Sequence, residues 1–295
     1  MNKGILSGIG AYLLWGLFPI YWKLLHHIQA MQIIGHRIVW SFIFLIIIVI
    51  SSNQLKNLKS AVSSKKVLGM YMVASALLTV NWFVYVWGVN AGRIVETSLG
   101  YFINPLFSVL LGIIFFKEKL RLMQWIPVTL AAAGVIYLTV DYGRVPWIAL
   151  SLAFTFGLYG LVKKIAPLDS LFGLTFETAL AFPFALTYLI VVTSQGAGSF
   201  PQGNIPVDLL LIATGIITSV PLLLFAYAAR NIPLSTVGIL QYIAPSLQFL
   251  IGVAVYREDF GKPDMIGFGL VWTALLIFSI ESAGNRSRIK AEFKA

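Results

Sequence analysis

The sequence predicts an all-α membrane protein of ten transmembrane helices, arranged as two inverted five-helix repeats. Three observations predict it. Hydrophobic residues make up 59% of the 295-residue chain and charged ones 11%, against roughly 45–50% and 25% in a soluble domain, so lipid must be the solvent for most of this surface; the mean hydropathy is +0.88. Ten apolar runs of spanning length follow one another with short connections. The stretch GYFINPLFSVLLGIIFFKEK at 100–119 is answered by LQYIAPSLQFLIGVAVYRED at 240–259, with Pro105 over Pro245, Gly112 over Gly252 and Glu118 over Glu258, at a constant offset of 140 residues.

Crossing about 30 Å of hydrocarbon takes roughly 20 helical residues. The first run, 4–22, has one early lysine and then apolar residues; it is too long for a signal peptide and no small-x-small cleavage site follows, so it is expected to stay as a span. The second, 30–50, is aliphatic around His36 and Arg37. The third and fourth, 67–89 and 95–116, are parted by Asn90–Arg93, and the fourth holds Pro105. The fifth, 122–140, and sixth, 145–162, meet at Asp141–Arg144. The seventh, 170–193, carries Glu177; the eighth is 206–228; the ninth, 234–256, is the counterpart of the fourth. The tenth, 263–282, leads into a basic tail, Asn285–Ala295, expected to fray. No gap has room for a soluble domain.

Basic residues favour the cytoplasmic side of spans. With the N-terminus inside, fifteen Lys and Arg fall in cytoplasmic connections and tails, five on the other side, and Arg37 inside a span. Both termini are therefore expected in the cytoplasm. The same distribution excludes a nucleic-acid partner, since the net charge of +10 is spread over loops and not gathered on one face. The absence of cysteine excludes disulfides and thiolate sites, and three histidines make a multi-histidine metal site unexpected. No cofactor motif is present.

The offset extends beyond one helix. It lays the second run on the seventh, with Arg37 over Glu177, and the third on the eighth, with LTVN at 78–81 over TSVP at 218–221. One residue of slip lays the first on the sixth, with Gly16 over Gly157 and Lys23 over Lys164. The unit is thus five helices. Five is odd, so the copy starts on the opposite side of the membrane, and a pseudo-two-fold axis lies in the membrane plane. That is the architecture of alternating-access carriers, with substrate held near the midplane between the repeats.

The segments GAYLLWGLFPIYWK, GHRIVWS, NWFVYVWGVN and ETSLGYFINPLFSVLLG, with GLTFETALAFP, TSVPLLLFAYAA and LQYIAPSLQFLIGV in the second half, resemble the drug/metabolite transporter superfamily, and within it the EamA-domain proteins of the RarD type. The resemblance covers nearly the whole chain. It implies a bacterial inner-membrane transporter; RarD-type proteins are described as chloramphenicol-sensitivity proteins or permeases, and their relatives export amino acids, drugs or metabolites. Residues 1–142 would form the first EamA-like repeat, 143–284 the second, inverted one, and 285–295 a basic cytoplasmic tail.

A charge at the bilayer centre costs roughly 2.5–3.5 kcal/mol on insertion scales and needs a reason. Arg37 and Glu177 each lie about seven residues into their runs, roughly 10 Å inside opposite membrane faces. They form either a structural ion pair clasping the repeats or a working pair, with Arg37 on an anionic substrate group and Glu177 on a cation or as a proton carrier. The stripe Glu96, Gly100, Asn104, Ser108, Gly112 at four-residue spacing suits helix packing or binding. Proline frees the carbonyl four residues back: Pro19 frees Trp15, Pro105 frees Tyr101, Pro245 frees Gln241. Free carbonyls at membrane depth face protein or a wet cavity. Trp15, Tyr101, Asn104, Gln241 and Tyr242 are thus expected to line one cavity, with Asn81 as a further donor. Trp15, Trp22, Trp40, Trp82 and Trp87 suggest an aromatic cage, although Trp22, Trp40 and Trp87 also suit membrane interfaces. His36 is expected to be packed, with a proton role as the alternative, and Glu118 and Glu258 to be loop charges, with gating as the alternative. No H-E-x-x-H, paired intramembrane aspartates, phosphate loop or Ser/His pairing supports an enzyme, and a sensor or scaffold lacks its output domain. The expected partners are a small-molecule substrate and the lipid bilayer; a homodimer stays open.

Overall fold

The computed structural model of the protein describes residues 3–52, 64–116, 122–141, 143, 145–201, 203–232 and 240–292. Among the described residues every regular element is helical: α1 Lys3–Gly16, α2 Phe18–Leu24, α3 Ala30–Ser51, α4 Lys65–Asn90, α5 Ile94–Phe116, α6 Leu122–Asp141, α7 Trp147–Ile165, α8 Ser170–Ser194, α9 Ile205–Asn231, α10 Ile243–Leu250, a π-helical turn Ile251–Val255, and α11 Lys262–Glu292. Helical backbone occurs in each of the ten apolar runs. Among the described residues, five stretches are long and apolar enough to cross a membrane: Lys3–Leu24, Ala30–Ser51, Lys65–Asn90, Ser170–Ser194 and Ile205–Phe225. Large apolar side chains face outward along the bundle, among them Phe184, Val140, Ile280 and Ile114, as a lipid-facing belt requires. The chain is a multi-pass membrane protein.

Helix boundaries depart from the sequence reading in three places. The first run is two helices, because Pro19 has no N–H to continue the ladder and the chain restarts at Phe18. The ninth run reaches α10 through a turn at Tyr242, three residues before Pro245, and closes in π geometry. The tail expected to fray from Asn285 continues α11 to Glu292.

Most packing joins the two halves of the chain. Helix α1 packs on α9, α3 on α8 and α9, α4 on α7 and α8, α5 on α7, α6 on α11, and α10 on α1 and α5. Exchanging each helix for its counterpart about 140 residues away turns this set into itself: α1 on α9 becomes α7 on α4, and α1 on α10 becomes α7 on α5. Glycine permits the closest approaches. A Cβ at Gly100 would lie 2.7 Å from the Ala149 carbonyl oxygen, and one at Gly134 would lie 2.9 Å from that of Gly267. Gly100 belongs to the polar stripe of the fourth run, so that stripe is a packing face at this point. Glu96 in the same stripe pairs with Arg93 at 3.4 Å. Of Ser108 and Gly112 only the helical backbone is described.

Glu258 stands in the connection between the π-helical turn and α11, as expected of a loop charge, but it is engaged. Its Oε1 accepts from the Ile94 N–H at 2.8 Å and its Oε2 from the Val95 N–H at 2.9 Å. A carboxylate from the second half thereby caps the first turn of α5, where free N–H groups and the helix dipole both favour negative charge. Its repeat counterpart, Glu118, lies outside the described residues. Glu258→Ala should cost about 0.5–2 kcal/mol, the usual value of an N-terminal cap, read as a lower melting temperature of the detergent-purified protein.

Candidate functional site

A cavity opens among α1, α2, α3, α4, α5, α7, α9 and α10. Its wall is aromatic: Tyr12, Trp15, Phe18, Trp82, Tyr85, Tyr101, Phe156 and Phe225. Neighbouring rings brace one another, with Trp15 5.4 Å from Tyr12 and 5.6 Å from Phe225, and Tyr85 5.6 Å from Tyr101. Asn81, Gln241 and Gln248 add amides, and Arg37 is the only charged residue in the described lining.

Arg37 is 2% exposed. Its Nε donates to Thr218 Oγ1 at 2.7 Å, tying α3 to α9. Its guanidinium lies 4.1 Å from the centre of the Trp82 ring, 5.0 Å from Trp22 and 5.8 Å from Phe18. Its Nη1 is buried without a hydrogen-bond partner, as are the hydroxyls of Tyr12 and Tyr85 and the Oε1 of Gln248 in the same wall. Buried donors and acceptors are ordinarily satisfied, so four orphans around one cavity mark it as a place for a polar guest.

Glu177 is equally buried but stands apart. Lys163 Nζ lies 2.8 Å from its Oε1, and the Tyr159 hydroxyl donates to its Oε2 at 3.0 Å. The clasp between Arg37 and Glu177 is therefore absent: Lys163, placed by the sequence reading in a cytoplasmic connection, sits in the last turn of α7 and takes the carboxylate. Glu177 borders a smaller pocket, and Trp82 and Leu78 border both spaces. The repeat explains the difference. With the one-residue slip of the first span, Phe18 answers Tyr159 and Trp22 answers Lys163. Equivalent places thus hold a carboxylate with a cation and a phenol, and a guanidinium with two rings.

The other expected site residues fall as follows. Trp15, Arg37, Asn81, Tyr101 and Gln241 line the cavity. The Trp15 carbonyl, which Pro19 releases, accepts from Gln248 Nε2 at 3.0 Å. Asn81 is a brace more than a free donor: its Nδ2 donates to the Leu152 carbonyl at 3.1 Å and Thr155 Oγ1 at 2.9 Å, and its Oδ1 accepts from the Tyr101 hydroxyl at 3.2 Å. Asn104 is 2% exposed, with its Oδ1 unpartnered, but lies off the described lining. Tyr242 packs beside the core of Phe102, Phe268 and Val271 instead. Trp22 is fully buried under Arg37 and is no interface anchor. His36 is packed, with Phe200 against its ring at 5.5 Å. The sequence reading missed Tyr12, Tyr85, Phe156, Phe225 and Gln248; Tyr12, Tyr85 and Gln248 stand at helical spacing from Trp15, Asn81 and Gln241, which was the signal available.

The EamA-like transporter family matches residues 2–140 and again 145–280. The chain is 48% identical to the uncharacterized transporter YojE of Bacillus subtilis over 94% of each chain. It is 40% identical to the protein RarD of Escherichia coli over 97% of each. It is 29% identical to the chloramphenicol-sensitive protein RarD of Pseudomonas aeruginosa, covering 96% of this chain and 95% of that one. A solved crystal structure, described only as that of a protein, aligns with a TM-score of 0.60 at 16% identity over 94% of this chain and 97% of its own; at that identity the likeness shows the fold alone.

Proposed function

The chain belongs to the EamA-like transporter family, and on that premise we propose that it is a secondary carrier working by alternating access, exporting a small organic molecule (a metabolite, an amino acid or an amphenicol-like drug) across the bacterial inner membrane. The observation that carries the reading is the cavity between the two halves, with its aromatic wall, its orphaned polar atoms and the buried Arg37. Ten spans in two inverted repeats, with both termini in the cytoplasm, complete the proposal. Its support is the 140-residue offset, the packing pattern that survives exchange of the halves, and the basic bias of one set of connections. The exclusion of an enzyme rests on the missing motifs and on the family's being one of transporters.

Two measurements test it. Proteoliposomes should accumulate or release radiolabelled members of a panel of amino acids, aromatic acids and amphenicols above the level of empty vesicles; no flux for any member would count against the carrier. Single cysteines in this cysteine-free chain should react with an impermeant maleimide from outside at Ala197 and Gly261, and only after permeabilisation at Ser64 and Ala291. Outside labelling at Ser64 or Ala291 would overturn the inverted topology.

A further inference from the structure

We propose that the substrate is an organic monoanion, a carboxylate on an apolar or aromatic body, and that Arg37 receives its charge. The inference rests on the carrier reading and narrows its substrate class. Arg37 is buried, and no carboxylate stands among its recorded partners; a hydroxyl, three ring faces and an unpartnered Nη1 surround it. Rings soften the burial of a cation but do not neutralise it. The repeat-equivalent site supplies the contrast: Glu177 has Lys163 as its counter-ion, whereas the position answering Lys163 beside Arg37 is Trp22. The described surroundings of Arg37 therefore include no counter-charge of the kind that Glu177 has.

The described wall offers no carboxylate to an ammonium group, and Glu177 is already engaged. A zwitterion would bring a positive group without a partner, and a neutral drug would leave Arg37 unpaired. With Nε committed to Thr218 and Nη1 unpartnered, the guanidinium keeps a donor for a carboxylate, in a charge-assisted hydrogen bond. Trp15, Trp82, Tyr85 and Phe225 would then enclose the apolar body.

The test uses the purified full chain, isothermal calorimetry at pH 7 and probes that share one body: 3-phenylpropionate, 3-phenylpropanol, 3-phenylpropylamine and phenylalanine, with acetate as the charge alone. 3-Phenylpropionate should bind about tenfold or more tighter than each of the others, the scale of one hydrogen bond to a charged group. Arg37→Gln should erase that preference. Gln241→Glu, which places a carboxylate in the same wall and serves if the first variant fails to fold, should erase it too. Equal binding of the neutral, cationic or zwitterionic probe, acetate binding as tightly, no binding by any probe, or an undiminished preference in Gln241→Glu would each overturn the proposal. Counterflow in proteoliposomes separates the two readings. Arg37-dependent binding without flux sinks the carrier and leaves the charge assignment; flux of the alcohol or amine without preference for the acid sinks the assignment and leaves the carrier.

Discussion

Lys163→Ala is expected to lower the folded amount of protein sharply, and adding Glu177→Gln to a Lys163→Met background should restore most of it. Removing one partner of a buried pair typically costs about 3–5 kcal/mol, because the other charge is left uncompensated where solvent cannot reach it. Glu177 is that charge, since its side chain is 1% exposed. Lys163 is 24% exposed, so water recovers part of the loss and the effect should sit at the lower end of that range. The double variant keeps shape without charge, and apolar or neutral replacements of a whole pair are often tolerated. Membrane abundance and apparent melting temperature of the singles and the double give the coupling directly. The same cycle on Arg37 and Glu177 should give little coupling, because Thr218 and the rings of Phe18, Trp22 and Trp82 hold Arg37. Recovery in the Arg37/Glu177 double, and none in the Lys163/Glu177 double, would contradict the described pairing.

Gly215→Val should be nearly as damaging. A Cβ at Gly215 falls on the backbone carbonyl of Trp40, where α9 crosses α3. A flexible side chain could step aside, but a helix backbone cannot, and Ser41 already hydrogen-bonds the Gly215 carbonyl at 3.4 Å. Overpacking of this kind costs about 1–3 kcal/mol, occasionally more. It also pushes apart the two helices that hold Arg37 and Thr218, so the expected readout is double: lower thermal stability, and loss of whatever binding depends on Arg37. Gly69→Val, on α4 with open space beside the glycine, is the control and should cost only a small propensity difference. Equal effects at the two positions would show that the crossing is looser than described.

Much of the fold was legible because membrane helices announce themselves by length and apolarity, and a repeat shows itself by offset. Helix ends were less so. Pro19 could be read as freeing a carbonyl, but not as splitting the first run into α1 and α2, and the helical continuation of α11 to Glu292 has no apolar pattern to reveal it. Arg37, Trp15 and Gln241 were legible in the cavity because a charge or a proline-freed carbonyl at membrane depth needs a destination. Tyr12 and Phe225 were not, since an aromatic residue in an apolar helix looks the same whether it faces lipid, a neighbour or a void. The partner of Glu177 was missed for a different reason. Lys163 stands at the end of its run, where a lysine reads as an interfacial charge, and only the reach of its side chain back along α7 brings it to the carboxylate.

The unlike treatment of the two equivalent charges bears on energetics. The helices keep their packing pattern when the halves are exchanged, yet the exchange turns a ring-cradled guanidinium into a paired carboxylate. If the halves trade roles during a cycle, the two end states are alike in shape but unlike in free energy, because Arg37 and the Glu177–Lys163 pair would meet different surroundings in each. Such a protein has a resting state. Only a guest that interacts unequally with the two forms can draw the population away from it, and a ligand meeting Arg37 equally well in both would occupy the cavity without moving anything.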